Sequence, residues 1–147
     1  MMKLKRDEAA EVFAKFLYAT GVEKTLRVFF EAMDNPSGIP KQKWITFKEV
    51  YESESEARQE IIQQMLKEVL ILSIFAVAVD LDGATGYGEV DGLIRDFSVS
   101  VRTYKTIEDA RSQNPAEVIE ICPTTEGLDV HDHFLYFVDE SEKTIST

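Results

Sequence analysis

The sequence predicts a single α+β domain, residues 1–147, in which an N-terminal helical hairpin and a long central helix pack with a small, mostly antiparallel sheet. Three observations predict it. Two apolar stripes at helical spacing precede residue 36. No glycine or proline occurs from Lys41 to Asp82. After Asp82, short apolar segments are separated by turn residues.

Asp7 to Thr20 places Ala9, Val12, Phe13, Phe16 and Leu17 on one helical face, and Gly21 stands where such a helix would stop. Val22, Leu26, Phe29, Phe30 and Met33 form a second stripe, ended by Asn35-Pro36-Ser37-Gly38. Two helices joined this closely should pack antiparallel, with their phenylalanines filling the space between them. Lys41 to Tyr51 fits either a helix, through Trp44, Phe47 and Tyr51, or a short strand at Trp44-Ile45-Thr46-Phe47.

Ser53-Glu54-Ser55-Glu56 has the form of a capping box, in which Ser53 and Glu56 each satisfy a free backbone N–H at a helix start. Ala57, Ile61, Ile62, Met65, Leu66 and Val69 then line an apolar face, and Glu60, Gln63, Gln64, Lys67 and Glu68 a wet one. From Val69 to Val79 the polar face vanishes. Its β-branched content suits a strand, but no breaker separates it from the helix, so one helix to about Val79, about 40 Å long, is expected. The wholly apolar part is eleven residues, short of the ~20 needed to cross a bilayer.

Gly83 to Gly88 reads as loop, and Asp91-Gly92 as a turn. Phe97, Val99 and Val101 alternate with polar residues as in a strand. Thr106 opens a short helix that ends before Asn114-Pro115, and Glu117 to Cys122 forms another strand. Phe134 to Val138 fits a strand or a short helix, with a tail after Asp139 expected to fray.

The 147 residues are 44% hydrophobic and 29% charged, an ordinary globular balance. The net charge of −11 is uneven: residues 1–48 balance to +3 and residues 49–147 to −14. So acidic a chain repels phosphate backbones, which argues against DNA or RNA as direct partners and leaves a basic protein as the favoured one. The single cysteine, Cys122, permits no internal disulfide. Asp7 and Glu8 interrupt the basic start before any apolar leader forms, so the cytoplasm is the expected compartment, with no membrane partner.

The segment Phe75-Ala76-Val77-Ala78-Val79-Asp80-Leu81-Asp82-Gly83-Ala84-Thr85 resembles the first motif of the haloacid dehalogenase-like phosphatases, an apolar strand followed by Asp-x-Asp-Gly-Thr. The resemblance implies Asp80 as phosphoryl-accepting nucleophile, Asp82 as general acid/base, and a magnesium ion between them. Ala84 departs from the motif's threonine. Only 65 residues follow Asp82, too few for the rest of a doubly wound sheet. An EF-hand starting at Asp80 would need glycine where Thr85 stands and glutamate where Asp91 stands. His131-Asp132-His133 holds both histidines. On a strand they would share one face and make a metal clip, with Asp80, Asp82 or Asp129 as a third ligand. Cys122, flanked by apolar residues, reads as a packing residue.

With no complete catalytic constellation, the sequence favours a non-enzymatic protein-interaction module, immunity-like or inhibitory, whose acidic C-terminal two-thirds meets a basic partner and which needs no cofactor. The alternative is a metal-dependent hydrolase using Asp80 and Asp82 with His131 and His133 and a divalent ion.

Overall fold

The computed structural model describes residues 5–35, 41–82, 88–90, 93–95, 98–122 and 127–145. It is an α+β fold with a long helix at mid-chain. Two compact units form: residues 1–17 with 75–147, and residues 18–74.

In the first unit, helix α1 (Arg6–Leu17) begins with Asp7 and Glu8 in its first turn, and the Glu8 carboxylate accepts the Lys5 N–H at 2.8 Å. Its Ala9, Ala10 and Ala14 are fully buried, and these small side chains let α1 lie close against helix α6 (Val130–Ile145). Phe134 and Val130 of α6 and Ile121 of strand β4 (Glu117–Cys122) complete this core. Fully burying a side chain such as Phe134 contributes about 1.5–3 kcal/mol.

β4 pairs antiparallel with β3 (Val99–Thr103), and the register shifts between Val99, opposite Cys122, and Ser100, opposite Glu120. That bulge breaks the two-residue alternation, so Ile121 and Cys122 are both buried although adjacent. A second antiparallel pair, β1 (Gly88–Val90) with β2 (Leu93–Arg95), flanks Asp91-Gly92; that turn, the loop expected from Gly83 and the strand start expected at Phe97 lie outside the described residues. Between β3 and β4, Thr106 caps the short helix α5 (Ile107–Arg111), its hydroxyl accepting the Asp109 N–H at 3.1 Å.

The second unit holds a π-helical stretch (Tyr18–Lys24), α2 (Thr25–Asp34), α3 (Lys41–Glu52) and most of α4 (Glu56–Leu81). Lys41 to Tyr51 is therefore helix, held by an aromatic cluster in which Phe29 meets Phe30, Trp44 and Phe47 at centroid distances of 5.5, 5.4 and 6.2 Å.

Several expectations are corrected. Gly21 ends no helix: the backbone passes through it in π-helical form, and a side chain there would have to push aside the end of the Ile74 side chain. A Cβ there would lie 2.6 Å from Ile74 Cδ1. The capping box does not form. The Ser53 hydroxyl instead donates to the Val50 carbonyl at 2.7 Å, closing α3, and Ser55 C=O takes the first bond of α4 from Gln59 N–H. Val69 to Leu81 is helical throughout, as the breaker-free run leads one to expect, so α4 runs 26 residues and the strand that a phosphatase motif requires is absent from Phe75 to Leu81. Phe134 to Val138 is helix, and the tail expected to fray from Asp139 is helical to Ile145.

Gly21→Ala adds an overpacking cost of about 1–3 kcal/mol against a helix-propensity gain of about 1 kcal/mol, a net loss of about 1 kcal/mol in urea unfolding. In an Ile74→Ala background the same substitution should become stabilising, because its obstacle is gone.

Candidate functional site

The polar centre of the first unit is the Asp82 carboxylate, on the turn that ends α4, with a fully buried side chain. One oxygen accepts the Val130 N–H at 3.1 Å and the Cys122 thiol at 3.4 Å. The other accepts the His131 N–H at 2.9 Å and the His131 ring Nδ1 at 2.9 Å. Asp82 thus caps α6 from a distant part of the chain, its charge facing the positive end of the helix dipole. Burial pushes the carboxyl upward, but the bonds from the His131 N–H and ring, the Val130 N–H and the Cys122 thiol outweigh it and hold the group below the ordinary carboxylate range.

An ionised carboxylate only accepts, so His131 presents a proton on Nδ1 and turns Nε2 away from Asp82. Phe75 packs edge-on against that ring, with centroids 5.8 Å apart. Nε2 lies 3.7 Å from the Asp132 carboxylate, and one donor atom each from Asp129, His131 and Asp132 falls within 4.8 Å of the others.

A second tie runs from the start of α1. Arg6 donates to the Leu128 carbonyl at 2.6 Å and the Ile121 carbonyl at 2.7 Å. Asp7 accepts the Leu128 N–H at 3.1 Å and lies 3.2 Å from His133 Nε2. The His133 bond leads the Leu128 bond in holding the Asp7 carboxyl below its usual range. Gly127 makes this approach possible: its φ of +80° suits glycine, and a Cβ would sit 3.0 Å from the Asp7 carboxylate.

Of the four residues read from the sequence as metal candidates, the structure brings Asp82 and His131 together. His131 and His133 do not form a clip. They stand on a helix, where residues two apart point to different sides, and each meets its own aspartate. Asp80 is exposed near the end of α4. The three-residue group around His131 includes neither Asp80 nor His133. Arg6 and Asp7 escaped the sequence reading because charges at a helix start look like solvated dipole partners, and nothing local marks them as bound to residues 121–133.

Cys122 is buried, with its thiol pushed up to about 12 by burial and by the Asp82 charge beside it. It serves as a hydrogen-bond donor and not as a nucleophile.

Asp82→Asn should cost about 2–4 kcal/mol at neutral pH, since four donors lose a buried anion. The folded-state pKa of Asp82 lies below its unfolded value of about 3.9, so this contribution is complete above that value and is lost as pH falls through the folded pKa. Unfolding measured from pH 7 downward should show the wild type and Asp82→Asn converging only in that acid window. Cys122 should resist alkylation at pH 8 in the native protein and react on unfolding; labelling at the rate of a free thiol would contradict its role as a buried donor.

No protein-family model, no curated protein and no solved structure matches this chain.

Proposed function

We propose that this protein is a non-enzymatic binding module for another protein. One observation carries the reading: the second unit opens an almost wholly apolar groove of about 520 Å³, lined chiefly by Phe29, Phe30, Met33, Phe47, Val50, Tyr51, Ile62 and Leu66. A groove of this composition between helices fits the apolar face of a partner helix, anchored at every third or fourth residue. The polar groups of the first unit lend support, because Asp82, His131, Cys122, Asp7 and His133 are engaged in holding its own elements together. Only −2 of the net charge of −11 lies in residues 18–74, so a partner helix with a basic polar face is favoured through the long-range field of the whole chain and not through the rim of the groove.

A synthetic amphipathic helix of leucine and lysine is the probe, read through the emission of Trp44, the only tryptophan, which lies against Phe29 and Phe47. It should bind, and weaken as salt rises. Val50→Asp, at a groove residue already 57% exposed, should remove binding without unfolding the protein. Binding that survives Val50→Asp, or a leucine–glutamate helix that binds as well, would defeat the reading.

A second reading rests on the group Asp129, His131 and Asp132. A carboxylate behind one imidazole nitrogen orients the other for a metal, and Asp82 stands in that relation to His131. This ligand set differs from the one the sequence suggested for a hydrolase, and it fits a small divalent ion such as Zn²⁺. Zn²⁺ at about a hundred times its dissociation constant should stabilise the wild type by about 2.7 kcal/mol, and the Asp129→Asn/Asp132→Asn variant not at all. An equal shift in both would remove this group from consideration.

A further inference from the structure

Beside the groove, α4 carries a second apolar strip, and its side chains are exposed. Ile61, Met65, Val69 and Leu72 are 56, 62, 59 and 64% exposed, and follow one another at spacings of four, four and three residues. At 100° per residue they occupy a strip about 80° wide, next to but separate from the row that carries Ile62 and Leu66 into the groove. Across the most apolar 18-residue stretch of α4, only 11% is buried. Four side chains this exposed present roughly 400 Å² of apolar surface in one strip, within the roughly 300–600 Å² of the largest patch on a soluble monomer, a size that is often functional.

We infer that this strip is a self-association surface, on which α4 of a second copy of the chain lies antiparallel. The strip's own order argues for that occupant. Turned end for end about a point between Leu66 and Lys67, it nearly matches itself: Ile61 falls opposite Leu72 of the second copy, and Met65 falls one residue, about 1.5 Å, short of Val69. A two-fold interface requires this self-complementarity, in which each contact occurs twice. At the edge of the strip the same rotation sets Gln64 about one residue from Glu68 of the second copy, a hydrogen-bonding pair made twice, and it brings the two Glu68 side chains to about 4.5 Å apart along the axis, a repulsion the apolar contacts must exceed.

The area also suffices. The two strips together remove roughly 800 Å² from water, and the flanking side chains along about 16 Å of helix bring the contact to the ~1,000 Å² that marks a specific interface. A lipid surface fits less well. By length and composition α4 is apolar enough to cross a bilayer, but Glu60, Lys67 and Glu68 stand within the strip's own turns, where a lipid-facing surface would carry apolar side chains.

Sedimentation equilibrium over about 1–100 µM tests the inference, with Met65→Glu and Leu72→Glu as interface variants. The wild type should be a reversible dimer, and each variant should raise the dissociation constant at least about 30-fold while circular dichroism stays unchanged. A mixture of Ile61→Cys and Leu72→Cys proteins should oxidise to a mixed disulfide dimer. Neither alone should cross-link, and the wild type, whose Cys122 is buried, is the blank. A wild type that is monomeric throughout the range overturns the inference. So does a dimer indifferent to both glutamates, or cross-linking of Ile61→Cys to itself, which would mean parallel helices. A monomer that binds phosphatidylcholine vesicles through Met65 would assign the strip to lipid instead. Groove binding is read with the Val50→Asp protein and the leucine–lysine helix, so either idea can fail alone.

Discussion

One buried negative charge organises the first unit. Asp82 brings a full charge into a place where it is fully covered, and desolvation alone would make that costly. Four donors from two elements offset the cost: two backbone N–H groups and a ring nitrogen from α6, and a thiol from β4. Those same donors would be orphaned without it, including two of the N–H groups that a helix start leaves unsatisfied. The arrangement fixes where α6 begins, which way the His131 ring faces and where β4 ends. Arg6 and Asp7 then secure the same stretch of chain from α1, so the residues from 121 to 133 are held from two sides.

The parts of this fold that were legible in the sequence are those governed by local periodicity. The breaker-free run after Lys41 gave α4, the alternation around Val99 and Val101 gave β3, and Thr106 marked the start of α5. Legibility stops where a residue's role depends on something distant. Gly21 looks like a helix stop until Ile74 is seen to occupy the space its side chain would need. Ser53 looks like a cap until its hydroxyl is found on the Val50 carbonyl. His131 and His133 look like a pair because the period of a strand is two; on a helix they separate, and nothing within five residues of either one distinguishes the cases. Asp82 has two readings in the sequence and one visible role in the structure. Its place after a long apolar run suggested phosphoryl transfer, whereas the same burial and charge serve to cap a helix.

The two units divide the labour of the chain differently. In the first, ionisable groups lie close together and are spent on each other. In the second, the notable surfaces are apolar: an aromatic groove on one side of α4 and an aliphatic strip on another. Exposed apolar area of this extent carries a standing cost in solubility, against which a net charge of −11 provides mutual repulsion between molecules. Acidity here has two compatible uses, keeping open surfaces from indiscriminate association and selecting the sign of what approaches them.

The order of elements along the chain has a consequence for biosynthesis. The second unit is one continuous stretch, residues 18–74, and its helices can pack as they leave the ribosome. The first unit is split: α1 is made before the second unit and α6 after it, yet α1 packs against α6, and Asp7 meets His133 across 126 residues. Until translation reaches α6, the nascent chain carries a helix without its core and a carboxylate at Asp82 without its donors. Closing the first unit therefore waits for α6 and carries the loop-closure entropy of the chain between α1 and α6.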